Sequence, residues 1–505
     1  MLRIGAAALT PGDVAHVARN GGDVALSTAA LSRVETSHLL VSAAVERGDL
    51  MYGLTTQLGE RVTQAVPPGH QHDFALATLR ARANALGAPL AYDVARAAML
   101  ARLSSLSTGH SGVSPAAAQT LTACLNADFY PRVPSIGSLG ASDLCVLAHI
   151  GLALCGEGEA RIGPTRPEDR AEPWRPAREV LATVGIPPLR PGPKDGLALC
   201  SASSVSVGLS ALLAVDVELL WRQSLTAAAL AFEGFRANLT PLDPRAAAVR
   251  PVPGQAKTAA ALLRRLRGGA LRRAGAARRL QDPLSLRAAA PILAVVAEAL
   301  ARLGPHIEAE LNGSGDNPAV FSAPDVIVST GNFQTPGLTL ALESLAQAMA
   351  QAGASAVSRA ACLMTGRLSG LPHILASDEP GSSGFAPLMK VADSVLTEIR
   401  HLSQPVAYES RWRADGIEDE VAQTLLAARK AADLLVHWRR LVALELMIAA
   451  EAVERAGVIN VLGATTGRAY AAVRENVTRL GADRPLGGEL EQLADTLLAR
   501  DELPV

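Results

Sequence analysis

The stretch GSLGASDLCVLAH, residues 137–149, decides how this chain is read. Its first seven residues, Gly137-Ser138-Leu139-Gly140-Ala141-Ser142-Asp143, are small and turn-forming, and an apolar run of helical character follows at once. Taken alone, Ser142 reads as a turn serine after Gly140. Asp143 reads as the cap of the helix that starts near Leu144.

The rest of the chain sets the frame. At 505 residues, more than one domain or an extended bundle is expected. Hydrophobic residues make up 49% but aromatics only 3%, so the core must be built from Ala, Leu and Val, which suits close helix packing. The 47 basic and 48 acidic residues nearly cancel and give no reason to expect nucleic acid or an anionic membrane as partner. One stretch departs from this balance: RRLRGGALRRAGAARR, 264–279, carries seven Arg and no acid, and reads as a solvated face. The five cysteines (124, 145, 155, 200 and 362) are never in C-x-x-C spacing, which predicts neither a disulfide framework nor a metal site and points to the cytoplasm. The N-terminal residues do not read as a signal peptide, and no uncharged run reaches the roughly 20 residues needed to span a bilayer.

Apolar residues at three-and-four spacing predict long helices over 204–236, 286–311, 337–367 and 419–456. Elements of that length pack side by side in a bundle. Strand signals are few, chiefly DVIVSTGNF at 325–333 and parts of the N-terminus. Eight prolines between 161 and 195 mark a surface connection. They divide an N-terminal domain, 1–195, from a long-helix domain, 196–505. The fold class expected is all-α, with a smaller mixed N-terminal part.

Several segments, taken in order, carry a resemblance: MYGLTTQLGE (51–60), GSLGASDLCVLAH (137–149), KDGLALCSASS (194–204), LQDPLSLR (280–287), GSGDNPAVF (313–321), STGNFQTP (329–336) and GIEDEV (416–421). Together they resemble the aromatic amino acid ammonia-lyases and aminomutases. In that family an Ala-Ser-Gly triplet cyclises into a methylidene-imidazolone, a self-made electrophile that needs no external cofactor. The resemblance implies the helical architecture of the fumarase and aromatic lyase type and a homotetramer whose active sites draw loops from three subunits. The Tyr52 loop and the Glu418 helix start would then meet across interfaces. It places Tyr52 as catalytic base and Glu418 as a second proton-transfer group. Arg287 and Asn317 fall where the substrate carboxylate is clamped, and Gln281 and Phe333 also match.

Four positions depart from the family pattern. The triplet is Ala141-Ser142-Asp143, with the glycine missing, so the residue that must bend back to close the ring carries a Cβ. The Asn that holds the ring oxygen corresponds to Ser201. The second catalytic tyrosine corresponds to Leu284, which moves no proton. The aromatic-selecting position falls on Asn84.

The expectation is therefore a lyase-class enzyme acting on a carboxylate-bearing, amino acid-like substrate by acid–base elimination, addition or isomerisation, without the usual imidazolone. Two alternatives stand beside it. One is an ammonia-lyase or aminomutase with an electrophile made from Ala141-Ser142-Asp143. The other is a silent partner subunit on the same scaffold. A further motif, GSSGFAPLMK (381–390), faintly resembles the catalytic loop of fumarase-type enzymes and makes Ser383 a fallback candidate.

Overall fold

The computed structural model describes residues 1–67, 69–163, 172–377, 379–406 and 416–499. Part of the proline-rich connection, 164–171, lies outside the described residues.

The long helices form where the spacing predicts them: Ser204–Phe235, Ala289–Asn312, Pro336–Met364 and Thr424–Arg455. Their ends have local causes. The Ala289–Asn312 helix is preceded by a separate turn, Leu284–Arg287, held by bonds from Leu286 and Arg287 N–H to the Pro283 carbonyl. The last helix begins only after Gln423, whose φ of 54° interrupts the helical path. Glu418, Asp419 and Glu420 therefore precede the helix and are not in its first turn, correcting the expected helix start at 419.

The chain forms two compact units. The first comprises Met1–Val215, Leu303–Leu342 and Pro405–Arg429. The second comprises Asp216–Arg302, Glu343–Gln404 and Lys430–Val505. The first unit thus contains all of 1–195 and adds three stretches from later in the chain.

Among the described residues, the strands all belong to the first unit. Leu2–Ile4 pairs in parallel with Val24–Leu26, and Leu86–Pro89 pairs antiparallel with Pro134–Ile136. Phe129–Pro131, Glu159–Ile162 and Arg175–Pro176 make a three-stranded sheet. Ala319–Ser322 and Asp325–Val328 form a hairpin, so the strand expected over 325–333 ends at Val328, where its four-residue partner ends. Val320 of this hairpin packs with Val41, Ala44, Met51 and Leu54, which ties it to the loop carrying Tyr52.

Two helices, Ser204–Phe235 and Ala289–Asn312, are apolar and long enough to cross a bilayer by composition alone. In the first, 72% of the apolar window is buried against protein, as in the core helix of a bundle.

Candidate active site

The Tyr52 loop leaves the Thr28–Arg47 helix at Gly48, which takes the left-handed φ of 76° that ends many helices. Thr55 then closes the turn: its hydroxyl donates to the Asp49 carbonyl at 2.6 Å and accepts the Met51 N–H at 2.8 Å. At Gly53, with φ +71°, a Cβ would come within 2.6 Å of the Leu58 side chain. The Tyr52 hydroxyl accepts the Gly59 N–H at 3.1 Å.

The triplet loop is held on both sides. Gly140 has φ +89°, and a Cβ there would lie 2.4 Å from the Gln423 amide nitrogen, so no other residue permits this approach. Ser142 also has a positive φ, 62°, a costly conformation for a residue with a side chain. Its N–H points to the Phe333 carbonyl at 3.4 Å, and its Oγ lies 3.4 Å from Ser201 Oγ. The Asp143 N–H donates to the Ala202 carbonyl at 2.9 Å.

The Asp143 side chain does not cap its own helix, contrary to the sequence reading. It crosses to the start of the Ser204–Phe235 helix, accepting the Ser206 N–H and Ser206 hydroxyl at 2.8 Å each and the Ser138 hydroxyl at 2.7 Å. Burial pushes this carboxyl up from the usual range while those bonds pull it down. Asp143 thus pins the triplet loop to the helix that follows Ser201.

Asn317 is fixed by a buried ion pair beside it. Arg102 donates to both oxygens of Asp316 at 2.8 and 3.2 Å, and through Nε to the Ala198 carbonyl at 2.7 Å. Lys194, fully buried, donates to the Pro318 carbonyl at 2.9 Å, and burial lowers it to about 8. The Asn317 carboxamide oxygen accepts the Ser329 hydroxyl at 3.1 Å and the Thr330 N–H at 2.9 Å. Its Nδ2 remains the group that can donate to a ligand.

These elements enclose a cavity of about 850 Å³ within the first unit. Tyr52, Ala141, Ser142, Ser201, Asn317, Phe333 and Glu418 all line it. One chain thus brings the Tyr52 loop and Glu418 to the same cavity, where the resemblance implied a meeting across interfaces. Asp143 is wholly buried behind the wall.

Five residues assigned from the sequence lie outside this cavity. Asn84 does not line the cavity; its side chain donates to the Ala81 carbonyl at 2.8 Å at the end of the Gln71–Arg82 helix. The residue on the wall is Arg82, two positions earlier. Gln281, Leu284 and Arg287 belong to the second unit, where the Arg287 guanidinium donates to the Gln281 side chain and Leu284 is 65% exposed. Ser383 is also in the second unit, on a loop fixed by Asp483, which accepts the Ser382 hydroxyl and the Ser383 N–H. The tyrosine, the two cations Arg61 and Arg82 and the acidic run 418–420 give this cavity groups able to bind an anionic substrate and move protons.

The chain belongs to the aromatic amino acid lyase family, whose model matches residues 9–475. It is 35% identical over 488 residues to a histidine ammonia-lyase of Symbiobacterium thermophilum, covering 96% of this chain and 94% of the relative. Among solved structures, it matches the ergothioneine-degrading enzyme ergothionase of Treponema denticola with a TM-score of 0.94 at 25% identity, covering 100% of this chain and 99% of that one. Tyrosine aminomutase of Streptomyces globisporus matches with a TM-score of 0.93 at 29% identity, over 99% of this chain and 97% of that one.

Proposed function

We propose that this enzyme eliminates an amine from a carboxylate-bearing, amino acid-like substrate without a methylidene-imidazolone. The observation that carries this reading is the commitment of Asp143. Ring closure requires the nitrogen of the third residue to attack the Ala141 carbonyl. In this chain that nitrogen donates to Ala202, and the Asp143 side chain is locked to Ser206 and Ser138. Ser201 stands where a longer carboxamide would hold the ring oxygen. The residues present do not fit the group.

Tyr52 then serves as the base that takes the proton from the carbon β to nitrogen, with Glu418 as the second proton-transfer group. Asn317 and Arg82 bind the substrate on this chain. Arg287 and Gln281 of a second copy complete the carboxylate clamp, as expected of a homotetramer with shared sites. Leu280, 90% exposed, and Leu284, 65% exposed, flank Gln281 and suit a segment that another copy covers. Five free cysteines fit a cytoplasmic enzyme.

General acid–base catalysis supplies about 10²–10⁴-fold, so the substrate must carry part of the activation itself. A trialkylammonium group meets that need: it has no N–H proton to divert the base, and it departs as a neutral amine. The structural likeness to an enzyme that degrades ergothioneine, a trimethylammonium betaine, supports this choice. Incubation with ergothioneine, histidine and tyrosine tests it, followed by release of trimethylamine or ammonia. Turnover of the betaine alone is expected, and release of ammonia from histidine by a protein of unmodified mass contradicts the reading.

A second reading has its own support. The 35% identity to a histidine ammonia-lyase and the positive φ of Ser142 favour an ammonia-lyase whose electrophile is made from Ala141-Ser142-Asp143.

A further inference from the structure

The second unit holds a cavity of its own, about 200 Å³ in volume. Its apolar walls are Leu271, Val458, Val461 and Leu462. Its polar groups are Glu233, in the last turn of the Ser204–Phe235 helix, and Arg236, the residue just past its end, whose φ of 59° turns the chain out of the helical path. The Arg-rich stretch 264–279 forms one side: Gly269 passes so close to Glu233 that a Cβ there would lie 2.5 Å from the carboxylate.

Both polar groups are half-satisfied. Glu233 is only 3% exposed, and its Oε1 accepts the Gly463 N–H at 2.9 Å. Its Oε2 is buried and makes no hydrogen bond of normal geometry among the described residues, although the Thr466 hydroxyl lies near the carboxylate. Arg236 gives Nε and one terminal nitrogen to the Ala276 carbonyl at 3.2 and 3.1 Å, which leaves its other terminal nitrogen for a ligand. Among the described residues, no ion pair joins Glu233 to Arg236. Burying a carboxylate oxygen without a donor is costly, and a ligand that brings one recovers that cost.

We propose that this cavity binds a small aliphatic α-amino acid as a zwitterion, with its ammonium on Glu233, its carboxylate on Arg236 and its side chain against Leu271 and Leu462. Opposite charges carried on one carbon of the ligand match opposite charges three residues apart at the end of the helix. This site lies outside the cavity assigned to catalysis and does not depend on which reaction occurs there.

Calorimetric titration of the full-length protein with L-leucine tests the assignment. One saturable site per chain is expected, with a Kd at or below about 1 mM, unchanged in Tyr52→Phe. Glu233→Gln, Arg236→Gln and the cavity-filling Leu462→Trp are each expected to weaken binding at least tenfold. So is replacing L-leucine with 3-methylbutylamine or 4-methylpentanoate, each of which lacks one charge. In the wild-type protein, L-leucine should slow hydrogen exchange of the 458–464 amides, a readout independent of any variant. No saturable heat, no protection at 458–464, binding lost in Tyr52→Phe, or equal binding of the amine would each overturn the proposal.

Discussion

The backbone N–H of Asp143 donates to the carbonyl of Ala202 at 2.9 Å. That one bond joins the triplet loop to the segment carrying Ser201 and occupies the nitrogen that relatives use to close a ring. The Asp143 carboxylate secures the same junction through Ser206 and Ser138, so the residue that directly follows Ser142 also contributes a structural link. The consequences can be measured.

Tyr52→Phe removes the proposed base and keeps the ring shape. We expect kcat to fall by about 10²–10⁴-fold, the range for a lost general base, with thermal unfolding unchanged within about 2 °C. A variant that keeps more than half its activity contradicts the role.

Arg82→Ala removes a guanidinium from the cavity wall. Loss of a charge-assisted bond to substrate costs about 1.5–3 kcal/mol, so kcat/KM should fall by roughly 10–150-fold, mostly through KM. Asn84→Ala, outside the cavity, should leave both constants within about twofold. Steady-state kinetics on the two variants checks the reassignment from Asn84 to Arg82.

Arg102→Ala leaves Asp316 buried without its cation. Breaking a buried pair from one side costs about 3–5 kcal/mol, and urea unfolding should show it. An effect below about 1 kcal/mol would mean the pair is not the clamp of the Asn317 loop.

Glu233 gives a pH signature. Burial pushes its carboxyl up to about 7, against the pull of the Thr466 hydroxyl and Gly463 N–H. Between the ordinary value of 4.5 and about 7 the native state keeps a proton that the unfolded chain has released. Stability therefore falls as pH rises through this window, and the loss is complete above it. At about 1.4 kcal/mol per unit, the penalty approaches roughly 3 kcal/mol. Glu233→Gln does not titrate, so the wild type should lose stability relative to the variant by about that amount between pH 4.5 and 8. Arg236 lines the same cavity in both proteins. Urea unfolding at a series of pH values reads the difference; a difference independent of pH contradicts it.

The long helices were legible because Ala-, Leu- and Val-rich periodicity over more than 20 residues admits little else, as Ser204–Phe235 and Pro336–Met364 show. Tyr52, Ser142, Ser201, Asn317, Phe333 and Glu418 were legible as cavity residues because short motifs surround each of them. Asn84 was misplaced because RARANALG repeats small residues and offers no internal register; Arg82 emerges only when the Gln71–Arg82 helix and the following strand are built. The Asp143 side chain was misread because a cap on its own helix is the local expectation. Its partner Ser206 lies 63 residues away, beyond the reach of any local pattern. The Glu233 cavity was invisible for the same reason, since its walls come from three separate stretches of the chain.

Intact-protein mass spectrometry with peptide mapping tests the central claim most directly. The purified chain should have its full unmodified mass, with the peptide spanning Ser142 intact. A protein about 36 Da light, the loss of two waters mapped to residues 141–143, would mean that the ring closes despite Asp143.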